Sequence, residues 1–150
     1  MMLTFAEEAP RDIIPEIIEL IPLHWSEVTR NREVLPQVRW DEALRYADNG
    51  MLFALAARNE EKELVGYVIF VVYKPWHYEQ LTFAHDDAFF LKKEYRGNGE
   101  GTKMIMAAEQ LMKSKGATHC IFHQKTIVNN GKVFEKLGYH QEEILWRKAV

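Results

Sequence analysis

The sequence predicts an α+β fold, a mixed central β-sheet with helices on both faces. Three features lead there. Apolar residues recur at helical spacing early in the chain (Ile13, Ile14, Ile17, Ile18, Ile21) and give way near residue 51 to runs dense in β-formers. One of those runs, residues 64–73, is apolar on both faces, the pattern of a central strand with helices packed on each side. A glycine-rich turn then joins the apolar residues 88–91 to a helix-patterned run over 103–115. With 150 residues, 47% hydrophobic and 12% aromatic, the chain suits one compact domain over residues 1–150.

Taken in order, residues 2–6 suit a short strand ahead of Pro10, a residue at home in the first turn of a helix. The isoleucine stripe and Trp25 continue that helix, with Pro15 tolerated near its start and Pro22 expected to kink or end it. A polar connector over 27–37 leads to a second helix around 41–47, with Asp41 as its cap and Asn49-Gly50 as its stop. Residues 51–57 and 64–73 read as strands flanking the polar turn 58–63. Proline and the aromatic cluster make Lys74-Pro75-Trp76-His77-Tyr78 a loop, after which 83–91 resumes the sheet. Met104, Ile105, Ala108, Leu111 and Met112 then share one helix face, closed by Gly116. Residues 118–125 read as a strand, Asn129 or Asn130 starts a short helix through Leu137, and 143–148 read as a final strand.

The turn Tyr95-Arg96-Gly97-Asn98-Gly99-Glu100-Gly101-Thr102 carries the chemistry. Its glycines leave backbone N–H groups room to point into one concavity where a helix begins, and the positive end of the helix dipole adds to them. Phosphate or pyrophosphate oxygens fit such a place. Spacing excludes a Walker loop, since the sixth position from Gly97 is Thr102, and a G-x-G-x-x-G fingerprint, since Gly101 arrives one residue early. The spacing that does match is R-x-x-G-x-G, filled by Arg96, Gly99 and Gly101.

That motif resembles the acetyl-coenzyme A signature of the GNAT (GCN5-related) N-acetyltransferases. Downstream, Val133-Phe134-Glu135-Lys136-Leu137-Gly138-Tyr139 is similar to the F-Y-E-K-L-G-F stretch that closes the GNAT core, and the order of elements agrees over roughly the whole chain. The resemblance implies a GNAT-like sheet in which strands 83–91 and 118–125 lie parallel and splay apart to admit an acetyl thioester. It implies acetyl-CoA as acyl donor, held at its pyrophosphate by the backbone of Arg96, Gly97, Asn98, Gly99, Glu100, Gly101 and Thr102, with the N–H of Leu91 facing the developing oxyanion. The acceptor it implies is a primary amine on a small molecule, a nucleotide or a protein. A homodimer is common in the family, although no dimer seam is legible in this sequence. Pro22-Leu23-His24-Trp25, His77-Tyr78, Asp87 and the C-terminal L-G-Y further resemble a GNAT subgroup often encoded by bacteriophages and prophages.

An amine attacks a thioester only when unprotonated, and a lysine-like ammonium with pKa of about 10.4 is mostly charged near neutrality. A general base is therefore needed beside the strand that precedes the phosphate turn, where His85, Asp86 and Asp87 lie. Regular alternation puts His85, Asp87, Phe89 and Leu91 on one strand face and Asp86, Ala88 and Phe90 on the other. With Phe89 turned to the core, Asp87 goes with it, so Asp87, together with His85, is the candidate base; an exposed strand end is the competing reading of the same residues. The family's usual general acid is a Tyr four residues before the glycine of L-G-F, a position that holds Phe134 here. Tyr139, His123, His140 or solvent are the alternative proton donors, and Ile127 stands where the family has an Asn unless Asn129 or Asn130 shifts in. His24 and Trp25, the loop residues His77 and Tyr78, and His123 are candidates for an acceptor pocket. The missing Tyr also keeps open a catalytically weak GNAT-fold protein that acts by binding a partner protein or acyl-CoA.

Other classes are disfavoured. Nineteen basic against 22 acidic residues give a net charge near −3 with no Lys/Arg block, so nucleic acid is not favoured as a partner. Cys120 is the only cysteine, which rules out an intrachain disulfide and suits a reducing, cytoplasmic setting with a buried, inert thiol. His119 and His123 would stand about 13 Å apart on a strand, too far to share a metal ion. No membrane segment is expected, because the apolar residues 13–23 are broken by Pro15, Glu16, Glu19 and Pro22.

Overall fold

A computed structural model describes residues 2–29 and 34–150. Its elements run in the order β1 (Thr4–Glu8), α1 (Pro10–Val28), α2 (Trp40–Asp48), β2 (Leu52–Arg58), β3 (Leu64–Tyr73), β4 (Phe83–Leu91), a 3₁₀ turn (Lys93–Tyr95), α3 (Glu100–Ser114), β5 (His119–Ile121) and α4 (Gly131–Lys136). The strands form one sheet in chain order. Pairs β1–β2, β2–β3 and β3–β4 are antiparallel, and β4–β5 is parallel. A parallel pair needs a crossover, which α3 supplies.

As the two-faced apolar pattern of residues 64–73 requires, β3 is the middle strand. On one face Val68, Phe70, Ala84 and Leu91 pack with Met104, Ala108 and Met112 of α3. On the other, Tyr67, Phe90, Ala54 and Ala56 pack with Ile13 and Ile17 of α1. Each fully buried large side chain of this kind contributes about 1.5–3 kcal/mol. Arg58 staples the end of the sheet to α1, donating to Glu8 of β1 (2.6 Å) and Glu16 of α1 (2.7 Å).

Several elements differ from expectation. Pro22 does not end α1, which runs on to Val28. Beyond the proline, His24 stacks on Phe90 and bonds Tyr67, contacts that outweigh one missing backbone hydrogen bond. Glu27 and Val28 therefore belong to α1 rather than to the polar connector, of which residues 30–33 lie outside the described residues. The N-cap of α2 is Arg39, with Asp41 in the first turn, where it complements the helix dipole. The strand expected over 118–125 shortens to β5, and 143–148 form no strand: Ile144, Leu145 and Trp146 are exposed. A strand forms only against a partner edge, and three paired residues of β5 present little edge to join.

Candidate functional site

The sheet opens on one side of β4. Pairing with β5 covers Phe83↔His119, Ala84↔Cys120 and His85↔Ile121 and then stops, while on the other side β4 stays paired with β3 as far as Leu91↔Gly66. From Asp86 to Leu91, one edge of β4 thus faces no strand. Asp86 closes the end of this gap. It is 5% exposed, its Oδ1 accepts the backbone N–H of His123 at 2.9 Å, and the same oxygen lies 2.6 Å from His123 Nδ1. A side-chain oxygen thus takes the N–H that a ladder carbonyl would otherwise bond. Burial pushes the Asp86 carboxyl above its ordinary pKa, and the two bonds from His123 pull it back. His85 adjoins the pair: its Nδ1 is 3.2 Å from the Asp86 carbonyl oxygen and its ring meets that of His123 edge-on at 5.6 Å.

This corrects the expected orientation of Asp87. The register of β3 on β4 shifts between Ile69 and Phe70, Ile69 facing Ala88 and Phe70 facing Asp86, so Asp87 is the extra residue of a β-bulge. Alternation breaks there, the buried carboxylate is Asp86, and Asp87 is exposed. Two consecutive aspartates inside a strand, both poor β-formers, were the one sequence signal of a bulge.

At the far end of the gap stands the glycine turn. Gly97 and Gly99 have φ of 86° and 89°, values that favour glycine, and Gly99 is the N-cap of α3. Gly101 already lies in the helix, and a Cβ built on it would meet no atom within 4 Å, so its missing side chain leaves open space. Because α3 starts at Glu100, the amides of Gly101 and Thr102 belong to its first turn and have no intrahelical acceptor. Glu100 itself points inward: it is 4% exposed, its Oε1 is 2.6 Å from Lys103 Nζ, and its N–H takes Asn98 Oδ1 at 3.2 Å. Arg96 donates from Nε to the Leu91 carbonyl at 2.6 Å and pairs with Glu27, which locks the turn to the end of α1. Sequence reasoning did not single out Glu27, whose role depends on α1 reaching past Pro22.

On the α1 side of β4 lies a cavity of about 240 Å³. Ile14, Ile21, Trp25, Val28, Trp40 and Ile69 line it, and Asp87 is the one acidic side chain among the described residues on its wall. His24 lines it too, with Nδ1 2.7 Å from the Tyr67 hydroxyl. Burial lowers the His24 pKa to about 4 and raises that of Tyr67, so the imidazole is neutral near pH 7 and shares one hydrogen bond with the hydroxyl. Unfolded, His24 takes a proton below about pH 6.5. Between that value and about 4 the unfolded chain binds more protons than the folded one, so stability falls as pH drops through this window. In denaturant titrations at pH 7 and pH 4.5, His24→Gln should shrink the acid-induced loss by about 2 kcal/mol relative to the parent chain.

His77 and Tyr78 do not join His24 and Trp25. Both are exposed in the β3–β4 loop and line no wall of this cavity, and their neighbour Trp76, fully exposed, borders a separate depression beside His85 and Tyr46. The proline before them turns the loop outward past the end of β3.

Phe134 sits in an aromatic group with Phe122 and Tyr139, and Phe89 meets Phe122 edge-on. The Tyr139 hydroxyl donates to Glu109 of α3 at 2.8 Å, and burial together with that bond raises its pKa. A phenol so held is a poor proton donor to anything else. Tyr139→Phe should keep kcat within about twofold while lowering stability by about 1 kcal/mol, as thiol release and thermal melting would show. His140 is exposed and paired with Glu142, which leaves His123 as the one of the three alternative donors that lies at the gap. Asn130 is the N-cap of α4, and its buried Oδ1 has no partner among the described residues. Cys120 is half-buried, its thiol pushed up to about 11 by burial. No helix among the described residues is long and apolar enough to cross a membrane.

Residues 17–139 match the family model described as acetyltransferase (GNAT) family. A Bacillus subtilis protein, the uncharacterized N-acetyltransferase YycN, is 28% identical over 94 residues, a match spanning 60% of this chain and 56% of that relative. The chain thus covers little more than half the length of this curated relative. Among solved structures, an aminoglycoside acetyltransferase from an uncultured soil metagenomic sample, in complex with sisomicin, superposes with a TM-score of 0.73 at 16% identity, over 99% of this chain and 96% of that one. A ribosomal-protein-alanine N-acetyltransferase from Brucella melitensis biovar Abortus 2308 gives 0.72 at 18% identity, over 99% and 100%. At such identities the likeness establishes the fold.

Proposed function

Since this chain belongs to the acetyltransferase (GNAT) family, we propose that it transfers an acetyl group from acetyl-CoA to a primary amine, with His123, held by Asp86, moving the proton. The observation that carries this reading is the gap in the sheet, which has a glycine turn at one end and a His–Asp pair at the other. The turn fits a pyrophosphate, because the first-turn amides of α3 are free of intrahelical acceptors and the open space at Gly101 lets an anion approach them. Acetyl-CoA supplies the activated acetyl thioester. Leu91, at the end of the unpaired β4 edge, is the candidate for positioning the thioester carbonyl.

The amine nitrogen forms a bond to the acetyl carbon, and the carbon–sulfur bond breaks. Two protons leave an incoming ammonium in all; one ends on the departing sulfur and the other in water. Asp86 fixes the proton of His123 on Nδ1, so Nε2 presents its lone pair, on a ring that is 63% exposed. The same ring can return a proton to sulfur, a task that Phe134 cannot perform and Tyr139 is bonded away from. In this reading His85, whose ring meets that of His123 edge-on, helps orient it, and Asp87, on the cavity wall next along β4, holds the incoming ammonium. Sisomicin and ribosomal-protein alanine, the ligand and the substrate named for two structural relatives, are both amine compounds, which agrees with an amine acceptor.

The test is calorimetric titration with acetyl-CoA followed by thiol release in the presence of amines. Micromolar binding, about −8 kcal/mol, together with amine-dependent thiol release, is expected. Binding without turnover for any amine would favour the second reading, a GNAT-fold protein that binds acyl-CoA or a protein partner, for which Phe134 in place of a Tyr is the specific observation.

A further inference from the structure

The function above requires an amine but not a particular one, and the cavity between α1, α2 and the β3–β4 face narrows the class. We infer that the acceptor is a primary amine carried on a compact apolar body, seated in this cavity with its ammonium against Asp87. The inference rests on the acetyltransferase reading and specifies the acceptor side of the same site.

Two features of the wall combine. Its body is hydrocarbon and indole, contributed by Ile14, Ile21, Trp25, Val28, Trp40 and Ile69. The polar groups that reach it are mostly spoken for, since His24 and Tyr67 bond each other at 2.7 Å and His24 is neutral near pH 7. A polyhydroxylated or multiply charged amine would leave water without finding partners for its hydroxyl groups, a cost of about 1–3 kcal/mol for each group left unpaired. An alkyl or aryl body meets a matching surface instead. The exception among the described residues on the wall is Asp87, which the bulge turns to this side of β4 one residue from Asp86, the partner of His123. An ammonium at Asp87 lies one residue along β4 from the aspartate that holds His123, with its apolar body directed into the cavity. The bulge sets both functions: regular alternation would have sent Asp86 and Asp87 to opposite faces with the roles reversed.

The test uses a homologous series of linear primary amines, from propylamine to hexylamine, with glucosamine and spermidine as polar comparators. Binding to the protein is followed by the fluorescence of Trp25 and Trp40, both on the cavity wall, and acetylation separately by thiol release. Affinity is expected to rise about fourfold per added methylene, equivalent to about 0.8 kcal/mol, with the comparators weaker than hexylamine. Ala43→Leu, which adds bulk from α2 into the cavity, should remove the gain of the longest amines while leaving acetyl-CoA affinity unchanged. A flat series, or comparators that bind and react better than hexylamine, would overturn the inference while leaving the acetyltransferase reading intact. A rising series with no thiol release from any amine would keep the binding inference and overturn the enzymatic reading.

Discussion

Replacing His123 by alanine should lower kcat by about 10²–10⁴-fold, the range associated with removing a positioned general base, while the KM for acetyl-CoA stays nearly constant. The ring is 63% exposed and alanine keeps the backbone N–H that Asp86 accepts, so its loss should leave the melting temperature within a few degrees of the parent. Exogenous imidazole should restore part of the activity, a rescue that a merely structural histidine would not show. Asp86→Asn separates the two halves of the pair. The amide oxygen can still accept the His123 backbone N–H, but the ring bond loses its charge and the tautomer is no longer fixed. A loss of about tenfold or more, with folding retained, is expected from removing a charge-assisted bond of about 1.5–3 kcal/mol. If Asp87→Asn instead abolishes turnover while His123→Ala leaves it whole, Asp87 is the base and the gap pair is structural.

Gly101→Val should abolish acetyl-CoA binding, with affinity falling at least about 100-fold, or about 2.7 kcal/mol. The position is chosen over Gly99 for a physical reason. Gly99 has φ of 89°, so a valine there would strain the backbone and confuse loss of folding with loss of binding. Gly101 is helical, valine is at least as good a helix residue as glycine, and a Cβ there meets no protein atom. With open space around that Cβ, bulk at this site falls first on what approaches from outside the chain. Calorimetry on a variant that melts like the parent gives a direct answer, and unchanged affinity would remove the anion-binding role of the turn.

Much of this molecule was legible before folding was considered. The strands at 64–73 and 83–91 stand where their β-former density put them, and the isoleucine stripe became the buried face of α1. The turn was read from glycine spacing, because positive φ and close approach are demands that few other residues meet. The catalytic side was less legible. A period of two turns Asp87 inward, and a single inserted residue reverses which of the two aspartates is buried. His77 and Tyr78 belong with His24 and Trp25 if the aromatic loop and the first helix share one acceptor pocket, yet they stand in different places. Likewise 143–148 carries strand-like composition but pairs with nothing.

The division follows the range of the forces involved. Sequence alone determined most of the elements, the glycine turn and the family resemblance, because hydrophobic period, glycine conformation and helix-start geometry act over a few neighbouring residues. Only tertiary structure decided which aspartate is buried, that His123 bonds it across the gap, that α1 outlasts Pro22 to bring Glu27 to Arg96, and that Asp87 reaches the wall of an apolar cavity on the α1 side of β4. Those outcomes depend on register and packing between residues tens of positions apart, where a shift of one residue reverses a side chain's direction without altering local composition.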